Sequence, residues 1–175
     1  MRNWIQRLAR LVRHRWAEGR MHSALPDDLL ERLGRRVTAS EQRHTGQIRI
    51  CVEAGLPMAY VWRDADARER AVALFGKLRV WDTEHNNGVL IYLLLADHAI
   101  EIVADRGVSR FIPANAWEGL VREMSTAFRE NQYEDGLTQA LSQVSALLCE
   151  HFPADPDRPA PVDQTGLPDA PVRLG

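Results

Sequence analysis

Hydrophobic and polar positions along the chain divide it into eight regular stretches. Residues 2–17 place Trp4, Ile5, Leu8, Leu11, Val12 and Trp16 on one side of a helix. A second helix starts at Pro26-Asp27-Asp28, with proline at its first turn, acids complementing the dipole, and Leu29, Leu30, Leu33 and Val37 inward. Gln47–Ala54 alternates as a strand, with Ile48, Ile50 and Val52 on one face and Arg49, Cys51 and Glu53 on the other. A loop over 55–63 leads to a helix over 64–80, capped by Asp64 or Asp66, that carries Ala67, Ala71, Leu74, Phe75 and Leu78 inward.

Val89–Leu95 is an unbroken apolar run too short for a globular helix and reads as a strand buried on both faces. Ala99–Ala104 is a second strand, and Ala96-Asp97-His98 between them is short enough for a hairpin. Pairing about that turn sets position 92 opposite 101 and 88 opposite 105. Two helices follow, one opened by Pro113 with Trp117, Leu120, Val121, Met124 and Phe128 inward, the other over Tyr133–His151. The expected architecture is therefore a layered α/β/α domain. Its small mixed sheet joins the central hairpin to a strand brought alongside in parallel by a helical crossover, and helices cover both faces.

Closing the hairpin brings Asp82, Thr83, Glu84, Asn86 and Asn87 to the same sheet end as Asp105, Arg106 and Gly107. Two readings follow. Asp82, Glu84, Asn86, Asn87 and Asp105 offer oxygens to calcium or another divalent cation, with His85 as an auxiliary ligand. Alternatively, the cluster is a structural strand exit built from turn caps and ion pairs. Glu101, opposite Tyr92, reads either as a buried Glu–Tyr hydrogen bond or as an exposed edge residue. His98, at the hairpin tip, is expected in solvent.

The stretch NNGVLIYLLLADHAIEIVADRG resembles the TPM domain, a family named for a thylakoid-lumen protein, a photosystem repair protein and an animal receptor modulator. The motif is matched by Asn87–Ile91, Asp97, Ile100–Ile102 and Gly107, and the resemblance spans Leu25 to Pro153. Many secreted members carry V-G-Y-G after the second strand, where this chain has Val103-Ala104-Asp105-Arg106-Gly107. The resemblance implies the same layered architecture. It also makes relevant the calcium binding and the phosphatase chemistry attributed to parts of the family. A metal-dependent hydrolase here would use Asp82 and Asp105 to hold the metal and Arg106 to clamp a phosphate. Against that, the chain shows neither a phosphate-binding P-loop nor a Cys-x5-Arg loop.

Composition narrows the rest. A chain of 175 residues with 45 % hydrophobic content fills one core plus tails. The divisions are a basic amphipathic helix over 1–20, a TPM-like domain over 21–152 and a Pro-rich, disordered tail over 153–175. A net charge of −2 argues against nucleic acid as a partner. Cys51 and Cys149 read as inert thiols rather than as a disulfide. The absence of a signal peptide or membrane span in the pattern points to the cytoplasm. The first twenty residues hold six arginines against one acid, Glu18. Their apolar stripe is expected to cover a core, its own sheet or a second copy. The other reading docks it on an anionic membrane surface or on a protein partner, peripheral at the inner membrane. The leading functional expectation is a non-enzymatic interaction or membrane-proximal accessory module, and the alternative is the weak phosphatase above. Neither reading identifies a substrate, a particular protein partner or an oligomeric state.

Overall fold

Seven helices and four strands make up the computed structural model, which describes residues 4–154 and 166–175. In chain order these are α1 (Trp4–Ala24), α2 (Asp27–Glu41), β1 (Gln47–Glu53), α3 (Met58–Trp62), α4 (Ala67–Lys77), β2 (Gly88–Leu94), β3 (Ala99–Ala104), α5 (Arg106–Ser109), α6 (Ala114–Arg129), α7 (Tyr133–His151) and β4 (Val172–Leu174). A 3-10 turn over Leu95–Asp97 joins β2 to β3 and ends on His98 in the left-handed region.

The sheet order is β3-β2-β1-β4, with β1 parallel to β2 and β4 and β2 antiparallel to β3. Every residue of β2 is buried, as its all-apolar composition requires of a central strand. Tyr92 lies opposite Glu101, and Asp105 donates its backbone N–H to Gly88 O at 2.9 Å, which is the register read from the hairpin. On one face Ile48, Ile50, Val52, Val89, Ile91 and Leu93 pack with α2, α6 and α7. On the other, Cys51, Leu90, Tyr92 and Leu94 pack with α4, Leu56 and Val61.

Four local expectations need correction. Residues 58–62 form α3 within the expected loop, and α5 follows β3 directly. Gly19-Arg20 is expected to end the first helical pattern, yet α1 runs through it to Ala24, because a single glycine costs only about 1 kcal/mol in a helix and Met21 is buried beyond it. The Glu41–Gly46 connection, polar throughout and therefore expected in solvent, buries His44 with one ring nitrogen on Gly46 O at 2.9 Å. The expected disordered tail includes β4: residues 172–174 pair with Cys51, Val52 and Glu53. The preceding residues are held as Arg49 donates to Ala170 O at 2.9 Å and Leu167 N–H donates to Gln47 Oε1 at 2.9 Å. The rest of that tail, residues 155–165, lies outside the described residues.

Candidate functional site

The end of the sheet where β2 begins and β3 finishes gathers the sequence-predicted oxygens only in part. Asp82, Glu84, His85 and Asn86 are exposed, whereas Asn87 and Asp105 are buried. Thr83 Oγ1 accepts the Asn87 N–H at 3.0 Å, and the Asn87 amide donates to Thr45 O at 2.9 Å, so Asn87 braces the turn. Asn86 adopts φ 52°, a left-handed conformation that asparagine tolerates. The turn folds tightly over its neighbours. A Cβ on Gly88 would lie 1.9 Å from Val80 O, and one on Gly107 would lie 2.3 Å from Asn86 O. Both glycines of the motif are therefore required by backbone-to-backbone contact.

Asp105 is 8 % exposed and caps α5, with Oδ1 accepting from Arg106 N–H at 2.6 Å. Its Oδ2 is buried without a hydrogen-bond partner among the described residues. A buried carboxylate oxygen normally has one. Among the described residues, however, no three His, Cys, Asp or Glu side chains converge to hold a metal. Asp82 and Glu84 face solvent on the turn, and Arg106 is also exposed.

The opposite end of the sheet carries a polar cluster that hydrophobic periodicity did not reveal. α1 crosses the hairpin tip with Arg10 and His14 inward, at 5 % and 2 % exposure. Arg10 donates to Ala65 O at 2.8 Å and to Asp97 Oδ2 at 3.0 Å, and it lies 3.4 Å from Asp64 Oδ1. Arg13 also pairs with Asp97. The Leu56 N–H donates to His14 Nδ1 at 2.9 Å, so the ring proton sits on Nε2, 3.4 Å from Asp97 Oδ1. Burial acts to raise the Asp97 carboxyl, but His14 and Arg10 override it and hold the group well below the usual carboxylate range. Asp64-Ala65-Asp66 is committed to structure: Asp64 faces Arg10 from a left-handed backbone, and Asp66 caps α4 by accepting from Glu69 N–H at 2.8 Å.

With α1 seated on its polar side, its apolar stripe turns outward. Trp4 and Trp16 are 73 % and 75 % exposed, and Ile5, Leu8 and Val12 are exposed with them. The expectation that this stripe covers the chain's own sheet is thus overturned for these five residues, and Leu11 alone of the stripe packs on the core beside α4. Arg10, His14 and Asp97 secure the helix instead, and charge-assisted bonds of this kind are the stronger ones. The signal for this in the sequence is slight: Arg10, His14 and Met21 share one side of the helix, but nothing marks that side as the docked one.

Beneath α4, Arg70 forks onto Glu53 through Nε at 2.9 Å and Nη2 at 2.5 Å. The Tyr92 hydroxyl donates to Glu53 Oε2 at 2.6 Å, and Tyr60 lies beneath the Arg70 guanidinium at 5.1 Å. Tyr92 thus takes Glu53 rather than Glu101, which instead faces Arg68 at 3.5 Å and is raised by burial. Nor is His98 in solvent: its Nδ1 lies 3.0 Å from Phe128 O, and its ring stacks on Tyr133. Cys51 is fully buried and its thiol is pushed up to about 12, chiefly by burial, which suits an inert core thiol. Cys149 is free and half-buried.

A mixed sheet ordered 3-2-1-4 and layered between helices, with a glycine-pinned turn at one end, defines the class. Residues 21–147 match the TPM domain model, and the chain belongs to the TPM domain family. The BA42 protein of the psychrophilic bacterium Bizionia argentinensis, solved by NMR, is similar at 22 % identity and TM-score 0.70, over 85 % of this chain and 94 % of that one. The N-terminal domain of a P. gingivalis protein, also solved by NMR, is similar at 20 % identity and TM-score 0.59, over 75 % of this chain and 82 % of that one. These likenesses establish the shared fold. Among curated proteins none matches the chain. No helix of the described residues is long and apolar enough to cross a membrane.

Proposed function

We propose that this TPM domain is a non-enzymatic accessory module that docks through the outer face of α1. The observation that carries the reading is the inversion of that helix, with a buried Arg10–Asp97 contact inside and Trp4, Leu8 and Trp16 outside. Contiguous exposed apolar surface of this kind marks an interaction site in a folded domain. Replacing Leu8 and Trp16 by serine should leave the unfolding free energy within about 0.5 kcal/mol of the parent, because these exposed side chains lie outside the core. A loss of several kcal/mol would show that the face belongs to the core and would end the reading.

A second reading rests on the unpartnered Asp105 Oδ2. In it, calcium or another divalent cation binds at Asp105 with oxygens of the Asp82–Asn87 turn, and Arg106 orients a phosphoryl group for a metal-bound water. A cation at a hundred times its dissociation constant should raise stability by about 2.7 kcal/mol. This reading requires that Asp105→Asn remove that shift together with any phosphomonoester turnover. The accessory-module reading requires that the parent show no turnover with any metal.

A further inference from the structure

We infer that the partner of the α1 face is the surface of a bilayer containing anionic lipid, an inference that rests on the docking-module reading above. Trp4, Ile5, Leu8, Val12 and Trp16 lie within an arc of about 120° and span roughly 18 Å along the helix. Of these five, the two tryptophans stand at the ends and the aliphatic residues between them. Arg15 projects within the arc at 69 % exposure and Arg20 borders it, while Arg13 turns back onto Asp97. Glu18, the one acid of α1, borders the opposite edge of the arc and is spent on Arg15 at 2.8 Å.

Apolar side chains rimmed by arginine, with tryptophan at the margins, match the chemistry of the headgroup–acyl boundary. The usual amphipathic helix turns its polar side to water. Here that side is fixed to the folded domain by Arg10, Arg13 and His14 around Asp97, so the domain occupies the aqueous side and the apolar face points away from it. On α3, which packs beside α1, Met58 and Trp62 are exposed as well.

A second copy is the poorer occupant. Apposing two such faces sets Arg15 and Arg20 against their own kind, and Glu18, the one acid beside them, is already paired with Arg15, whereas phosphatidylglycerol or a similar lipid brings further negative charge to the face.

The test is flotation of the full chain with vesicles of phosphatidylcholine alone or mixed with phosphatidylglycerol, alongside sedimentation equilibrium. Expected are binding to the anionic vesicles only, release by salt, and a monomer in their absence. Each arginine near such a surface contributes about fivefold, so Arg15→Gln with Arg20→Gln should weaken binding roughly 25-fold with the melt unchanged. Leu8→Ser with Trp16→Ser should abolish it. Absence of binding to anionic vesicles at low salt overturns the inference, as does equal binding to both vesicle types. A dimer dissolved by Trp16→Ser without vesicle binding overturns it in favour of a second copy. If the serine variant melts with the parent in any of these cases, the lipid assignment fails while the docking face stands. If it unfolds, the docking reading itself has failed.

Discussion

Arg10 and Asp97 meet 3.0 Å apart across the junction of α1 with the hairpin tip, and the arginine is almost wholly buried there. The two residues come from the N-terminal helix and the central hairpin. Their contact is the reason an amphipathic helix lies with its polar side down, since a buried guanidinium must be paired. α1 is in this sense secured by ionic hydrogen bonds rather than by its hydrophobic stripe.

Asp97→Asn should therefore loosen α1 selectively. It removes the charge that answers Arg10, Arg13 and His14 and should cost about 2–4 kcal/mol. Hydrogen exchange should rise across Trp4–Ala24 and stay slow in α7. Uniform acceleration over the whole chain would show instead that the tip supports the entire fold.

Removing one member of the Glu53–Arg70–Tyr92 group separates a buried pair from a simple hydrogen bond. Arg70→Met should destabilise by about 3–5 kcal/mol, because the Glu53 carboxylate stays buried without its cation. Tyr92→Phe removes one donor and should cost about 1–2 kcal/mol. Urea unfolding of both variants checks the order, and equal losses would contradict it.

Acid should weaken the fold through His44. Burial lowers this imidazole from 6.5 to about 4, its Nδ1–H donates to Gly46 O, and its Nε2 is buried without a partner among the described residues. The unfolded chain thus binds the proton more readily than the folded one. Stability contributed by the neutral ring is full above pH 6.5 and declines as pH falls from 6.5 towards 4, by roughly 3 kcal/mol in all. Melts of the parent and of His44→Gln over that range should converge as the pH drops; parallel curves would remove His44 as the cause.

Gly88→Ala should be among the most damaging single substitutions. The new methyl would lie 1.9 Å from the Val80 carbonyl, a backbone atom with no rotamer to change. A loss of about 3–5 kcal/mol is expected by urea titration. Gly119→Ala, where nothing lies within 4 Å, serves as the control and should be neutral or slightly stabilising.

Much of this was legible in the residues. The apolar run of β2 required burial on both faces, and a short turn then left one register, which places Glu101 opposite Tyr92. The same reasoning led to the Asp105 end, because hairpin geometry determines which strand ends meet. What escaped has physical causes. The periodicity of α1 shows that the helix has two sides but not which one docks, and buried ion pairs decided that. Glu53 found Tyr92 on the adjacent parallel strand and Arg70 on a helix, partners too distant in sequence for any local pattern to join. β4 is three residues long beyond a proline-rich stretch, where its pairing with β1 supplies the evidence for a strand.

That last pairing bears on synthesis. β1 is made early, yet the strand that covers its outer edge belongs to residues 172–174, so the nascent chain carries β1 with an open row of backbone donors and acceptors until nearly all of this sequence has emerged. Until then the edge is a template for any passing strand. A ribosome stalled or truncated after α7 would release a domain with its helices in place and one side of its sheet unguarded, a species expected to aggregate where the longer chain does not.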